Sequence, residues 1–253
     1  KNVARLHLSS LLRELSAAKI KTEVLILNAG ERTKSWYNLK KIAEWLISNK
    51  VERNDYVLSF GGGVIGDLTG LVTSIVRRGI NIIHMPTTLL AQVDSSIGGK
   101  TGINSLKGKN LIGTFHHPSL ILSDISLLKT LNRREFLSGY AEAVKKALIK
   151  DQDFFDWLEQ MDYISLRGEN NVINIIYKSS KIKVKLVQKD EKEKGQRALL
   201  NFGHTFAHAL ESANNYSNNL LHGEAVIIGC CLALKLSREY DLITTEESKR
   251  VIN

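Results

Sequence analysis

A short apolar run, Tyr56 to Phe60, passes without a break into Gly61-Gly62-Gly63-Val64-Ile65-Gly66-Asp67. An apolar run of that length suits a buried strand, and the stretch after the glycines suits a helix. The segment therefore reads as strand, tight turn and helix, with G-x-G-x-x-G at the turn. Glycines there allow the backbone to approach a pyrophosphate, and the unsatisfied N–H groups and dipole of the helix favour negative charge. The same glycines also let helix and strand pack closely without any ligand, so both readings stay open. The ordinary dinucleotide fold places an acid about 20 residues further on for the ribose hydroxyls. This chain has Ile82-Ile83-His84-Met85-Pro86 there, which speaks against the usual version of that fold.

The rest of the first half repeats the alternation. Glu23 to Leu27 and Asn81 to His84 read as further strands, and Trp36, Leu39, Ile42, Ala43 and Leu46 recur at helical spacing between them. Strands joined by crossover helices predict a parallel sheet. Both prolines, Pro86 and Pro118, lie in this half, and beyond Pro118 the period is 3.6 residues with few breaks. Asn132 followed by Glu135 predicts a capped helix start, on a helix carrying Phe136, Tyr140, Val144 and Leu148. Further helices are expected over 153–160, 171–189, 198–213 and 223–240. The fold class expected is an α/β nucleotide-binding domain with a parallel sheet over residues 1–128. An all-α metal- and substrate-binding domain follows over 129–253.

Composition narrows the partners. The 253 residues hold 35 Lys and Arg against 26 Asp and Glu, a net charge of +9 that suits phosphorylated metabolites, nucleic acid or an anionic membrane. No basic block reaches five residues, and Lys178 to Lys194 interleaves its cations with apolar residues and acids, which argues against nucleic acid. No apolar run approaches the roughly 20 residues of a membrane span, and no signal segment opens the chain. Cys230 and Cys231 are adjacent in an apolar run, too close for an unstrained mutual disulfide, so a reducing cytoplasm is expected.

Two constellations carry chemistry. Asn201-Phe202-Gly203-His204-Thr205-Phe206-Ala207-His208 places His204 and His208 four residues apart on one helical face, and His222-Gly223-Glu224 opens the next helix. Glu142 sits on a mostly apolar face with Lys145 one turn later, and a buried carboxylate needs a partner. Two histidines and a carboxylate leave one position open for water or substrate, as in catalytic zinc sites, and the same set can hold Fe(II). The second constellation is Asp94-Ser95-Ser96-Ile97-Gly98-Gly99-Lys100-Thr101-Gly102, continuing to Lys107-Gly108-Lys109-Asn110. It reads either as a mobile surface loop that supplies little core or as a grip for an anionic ligand.

Together these segments resemble the dehydroquinate synthase family. The resemblance rests on GGGVIGDLTG at 61–70, PTTLLAQVDSSIGGKTGIN at 86–104, KNLIG at 109–113, GYAEAVKKALI at 139–149, DEKEKGQRALLNFGHTFAHALE at 190–211 and HGEAV at 222–226. It implies NAD held by Gly30, Glu31, Lys34, Gly63, Val64, Ile65, Gly66, Asp67, Thr87, Thr88, Lys100, Lys109, Leu127, Leu128, Lys129 and Thr130. It implies Zn2+, or Co2+, on Glu142, His204 and His222. A phosphorylated sugar acid would meet Asp94, Lys100, Asn110, Lys145, Lys183, Arg197, Asn201 and His208, with Glu193 nearby and Arg78 reaching across a homodimer interface to the phosphate. The implied reaction oxidises a secondary alcohol of 3-deoxy-D-arabino-heptulosonate 7-phosphate, eliminates phosphate, reduces the ketone and closes a carbocycle, regenerating NAD. Two departures from the family's strings are Ala207, where glycine is usual, and Gln196, where leucine is usual. The resemblance also implies that the chain starts after the family's first strand and stops inside the helical domain.

Overall fold

The first helices, α1 (Ser9–Ala17) and α2 (Trp36–Ser48), precede any strand in this computed structural model, which describes residues 1–252. Ser35 caps α2 by accepting from the Asn38 N–H, and the apolar spacing places Ile42 and Leu46 in the core. The segment expected as a strand over 23–27 joins no sheet. Its alternation is that of a strand, since Leu25 and Leu27 pack on the core while Val24 and Ile26 stay exposed. What it lacks is a ladder, because among the described residues no strand hydrogen-bonds along it.

The run before the glycines forms β1 (Tyr56–Gly61), and α3 (Gly63–Ile75) begins two residues past its end. β2 (Asn81–Pro86) lies parallel to β1, with Tyr56 opposite Asn81 and Gly61 opposite Pro86. β3 (Lys100–Ser105) and β4 (Gly108–Phe115) then form an antiparallel hairpin with a register shift between Ile103 and Ser105. β5 (Leu120–Ile121) completes a parallel sheet in the order β1-β2-β5. Leu68, Leu71, Val72 and Ile103 share one buried cluster with α2.

The hairpin corrects the expectation of a loop that contributes little core. Ile103 is fully buried, and the Thr101 hydroxyl donates to the Thr114 carbonyl at 2.9 Å. Glycines and polar residues hid the alternation from a composition-based reading, because few bulky residues, Thr101 and Ile103 on one strand and Ile112 on the other, face the core.

A second compact unit begins at Leu131. Its helices are α4 (Arg133–Lys150), α5 (Gln152–Glu159), α6 (Tyr163–Leu166), α7 (Glu169–Lys189), α8 (His204–Ala213), α9 (His222–Glu239) and α10 (Thr245–Ile252). Asn132 caps α4 as its sequence suggests, accepting from the Glu135 N–H at 2.9 Å. The helix expected over 198–213 is broken. A tight turn covers Gln196–Asn201, Gly203 takes φ +78°, and α8 starts at His204. Left-handed backbone ends a helix at low cost only for glycine, and a side chain here would also strike the backbone of Cys230.

Close backbone approach sets how the helices of this unit pack. A Cβ at Gly223 would overlap the carbonyl of Ser138 on α4, and the Gly223 N–H accepts its place by donating to the Ser138 hydroxyl at 3.0 Å. Gly223→Ala is therefore expected to destabilise by about 1–3 kcal/mol or more through overpacking, read as a lower denaturation midpoint. An unchanged midpoint would mean that α4 and α9 can separate freely at this contact.

Candidate functional site

Glu142 lies at the centre of α4 with 0% exposure. The next turn of the same helix supplies two ammonium groups. Lys145 Nζ is 2.9 Å from Oε1 and 2.8 Å from Oε2, and Lys146 Nζ is 3.5 Å from Oε2. Spacings of three and four residues put all three side chains on one face. The packing of α8 and α9 brings His204 and His222 to the same place, with ring centroids 5.6 Å apart. One ligand atom from each of Glu142, His204 and His222 lies within 4.8 Å of the others.

The electrostatics prepare the two imidazoles differently. Burial, helped by the Lys145 ammonium, pushes His204 down to about 4, so the ring is neutral and keeps a lone pair. Its Nδ1 faces the Phe202 carbonyl at 3.4 Å, and a proton held there leaves Nε2 free to donate to a cation. For His222 burial acts downward, but the carboxylates of Glu142 and Glu211 outweigh it and raise the ring to about 9. A divalent cation among these groups would take the place of that proton. One carboxylate and two imidazoles are the donor chemistry of borderline divalent cations, so the residues fit such an ion.

The start of α9 is held from outside. Arg134 grips both oxygens of Glu224, at 2.5 and 2.7 Å, and donates to the Asn218 and Asn219 carbonyls. Glu224 in turn accepts the Leu221 N–H at 2.8 Å. His222 is the first residue of a helix whose first turn is thus clamped.

Cations crowd the interior of this unit. Among the described residues Lys145, Lys146, Lys183 and Arg197 are buried there, against only two buried carboxylates, Glu142 and Glu211. Arg197 donates to the Glu191 carbonyl. Its loop is shaped by Asp190, whose carboxylate accepts from the backbone N–H groups of Lys194, Gly195 and Arg197 at 2.7–3.0 Å. Glu193, in left-handed backbone, accepts from Asn201 at 3.1 Å. His208 is exposed, its ring 5.3 Å from that of His204 and outside the three-ligand set.

In the first unit, Lys34 is 4% exposed and gathers several candidate residues. Its ammonium lies 2.6 Å from Asp67, donates to the Asn110 side chain and sits 3.6 Å from Glu31. Asn104 ties the group together by donating to Glu31 and accepting from the Asn110 N–H. Beside it, α3 begins at the glycine turn, and among the described residues no side chain caps its N-terminus. A Cβ at Gly63 would press on Ser95, and Thr87 hydrogen-bonds back to the Gly61 carbonyl at 2.9 Å. A narrow, uncapped helix start fits a pyrophosphate. Val64, Ile65, Gly66 and Thr88 line the turn half-buried, and Asp94 lies on the turn that precedes β3. Lys100 opens β3, and Lys109 is the second residue of β4.

Other positions lie apart from these clusters. Gly30 takes φ +100° ahead of Glu31, and Arg78 is exposed with φ +61°. Leu127 and Leu128 are buried, and Thr130 bonds to His7 at 2.9 Å near Lys129. Glu211, Lys146, Asp190 and Arg134 were missed by sequence reasoning. For Glu211 a signal existed, since it follows His204 by two helical turns on the same face. Lys146 reads as one more surface lysine until α4 is seen to be buried around it.

His84 lies on β2 below the glycine turn, with Nδ1 2.6 Å from the Ser59 hydroxyl. Burial, with a smaller push from His116, lowers it from 6.5 to about 4. The unfolded chain binds this proton more readily between those values. The stability His84 contributes is present above pH 6.5 and is lost as pH falls toward 4. The shift corresponds to ~3 kcal/mol at most. Urea midpoints measured from pH 7 to 4.5 should fall less steeply in His84→Gln than in the parent, and parallel profiles would remove the claim.

The chain matches known proteins over nearly its whole length. The family profile "3-dehydroquinate synthase N-terminal" matches residues 24–138, and "3-dehydroquinate synthase C-terminal" matches residues 139–253. A 3-dehydroquinate synthase of Jannaschia sp. (strain CCS1) is 53% identical over 250 residues, covering 98% of this chain and 68% of that protein. The structure of ValA, a 2-epi-5-epi-valiolone synthase from Streptomyces hygroscopicus subsp. jinggangensis 5008 with NAD+ and Zn2+ bound, superposes with a TM-score of 0.93. It is 33% identical, over 99% of this chain and 70% of that one. A 2-deoxy-scyllo-inosose synthase complexed with carbaglucose-6-phosphate, NAD+ and Co2+ gives a TM-score of 0.89. It is 26% identical, over 96% of this chain and 67% of that one.

Proposed function

The chain belongs to the 3-dehydroquinate synthase family, and we propose that it carries out the family's reaction with NAD on the first unit and a divalent cation, Zn2+ or Co2+, on Glu142, His204 and His222. It is an enzyme of the carbon–oxygen lyase class that converts 3-deoxy-D-arabino-heptulosonate 7-phosphate to 3-dehydroquinate and phosphate. The observation that carries the site reading is the excess of buried cations in the unit that holds the three-ligand set. A metal site alone would suit many alcohols. Four buried cations against two carboxylates suit a substrate that brings its own negative charges, a carboxylate and a phosphate.

When bound, NAD supplies a hydride acceptor and the divalent cation acidifies the hydroxyl it meets. The chain's own residues account for the rest. Gly63 to Asp67 and Thr87–Thr88 cradle the nucleotide phosphates. Lys34, already fixed against Asp67, Glu31 and Asn110, needs no rearrangement to hold its neighbours in place. Lys145, Lys183, Arg197, Asn201 and His208 grip the substrate, and Glu193 positions Asn201. The family resemblance also assigns Asp94, Lys100 and Asn110 to the substrate, Lys109 and the Leu127–Thr130 segment to the nucleotide, and Arg78 to the substrate phosphate across a homodimer interface. Elimination needs little additional base, because the departing phosphate can accept the proton once cationic side chains orient it. A biosynthetic role in the cytoplasm belongs to the same reading. Among the described residues no helix is long and apolar enough to cross a membrane.

Incubation with the heptulosonate phosphate, NAD and Co2+ should release inorganic phosphate, and a chelator should stop the release. Oxidation of glycerol without phosphate release would instead identify a polyol dehydrogenase. Arg197→Ala should lower kcat/KM roughly 10- to 100-fold, the worth of a charge-assisted hydrogen bond to the substrate. Wild-type kinetics in that variant would remove Arg197 from the site.

A further inference from the structure

The ring of His222 stands between two carboxylates that are not equivalent. Nε2 lies 3.7 Å from Oε1 of Glu142, and Nδ1 lies 3.4 Å from Oε1 of Glu211. Glu142 belongs to the set whose ligand atoms gather within 4.8 Å, and Glu211 does not. Glu211 sits two helical turns beyond His204 on α8 and is 4% exposed. A carboxylate buried that far is costly unless a charge-assisted hydrogen bond answers it, and the imidazole N–H offers one.

The geometry points to Glu211 as a positioning residue for the metal ligand His222: its carboxylate accepts the Nδ1 proton, which fixes the tautomer with its lone pair on Nε2 and turns that atom toward Glu142. The inference rests on the reading that Glu142, His204 and His222 hold a divalent cation. An imidazole that donates its second N–H to a carboxylate is a stronger and better-aimed ligand, because the developing positive charge on the ring is shared. The arrangement has a further consequence for α8. One helix supplies both a ligand, His204, and the group that orients a ligand on another helix, His222. The backbone contact between Gly203 and Cys230 therefore fixes two of the three donors together.

The test is a Co2+ titration of the chelator-treated full chain, followed by visible absorption, on the parent, Glu211→Ala, Glu211→Gln and His222→Ala. Loss of the orienting carboxylate should weaken Co2+ binding roughly 10- to 100-fold in Glu211→Ala. Glu211→Gln should weaken it less, since the amide oxygen still accepts the proton but brings no charge. The ligand-field bands of both should differ from the parent's, and the loss of affinity should exceed what any drop in metal-free melting point accounts for. Co2+ affinity within twofold of the parent in either variant would overturn the role. So would losses that track a lowered metal-free melting point with unchanged bands, which mark a strut between helices. If Glu211→Ala fails to fold, the isosteric Gln variant decides. A parent that binds no Co2+, or a His222→Ala variant that binds it equally well, would instead sink the metal site itself, and Glu211 with it.

Discussion

Burying an ionised carboxylate in the middle of a helix costs several kcal/mol unless charges or a metal answer it, and α4 carries such a group at Glu142 with no exposure at all. Its own helix provides part of the answer through Lys145 and Lys146. The remaining part requires α8 and α9 to reach the same point, since the two imidazoles come from their first turns. Much of the second unit's construction follows from that requirement. Gly223 is small enough for α9 to touch α4, Gly203 starts α8 against α9, and Arg134 with Glu224 clamps the turn that carries His222. A side chain at either glycine would strike the backbone of the neighbouring helix and push apart the elements that bring the two imidazoles together.

How much of this could be read from the residues alone varied with the physics behind each feature. Local signals held where a backbone rule acts within a few residues: the glycine turn between β1 and α3, the Asn132 cap, and the helical period of most of the second unit, although β5 (Leu120–Ile121) follows Pro118 as a strand. The three-ligand cluster was legible because a carboxylate on an apolar helical face is anomalous in itself. The failures came where a distant partner decides. The 23–27 run alternates as a strand yet finds no neighbouring strand. Thr101 and Ile103 form a hairpin with β4 although their segment is small and polar. The helix expected from 198 was cut by Gly203, whose left-handed turn depends on the nearness of Cys230. Lys146 was invisible for a related reason, since nothing local distinguishes a buried charged residue from one on a solvated face, whereas Glu211 carried a signal in its seven-residue spacing from His204.

The net charge gains meaning when its location is known. An excess of +9 spread over a surface would be screened within roughly 8 Å at physiological salt and would say little about any one ligand. Buried cations are not screened in that way, and the second unit keeps four of them against two carboxylates. The first unit uses the same device on a smaller scale, with Lys34 held by Asp67, Glu31 and Asn110 rather than left to reach for a ligand. Groups already fixed by neighbours lose little freedom when a ligand arrives, so binding energy goes into orientation. The acid absent from the usual ribose position then loses its force as an objection. Polar groups are fixed beside the glycine turn all the same, in the Glu31–Lys34–Asp67 cluster, which joins Asp67 at the end of that turn to residues 31–34.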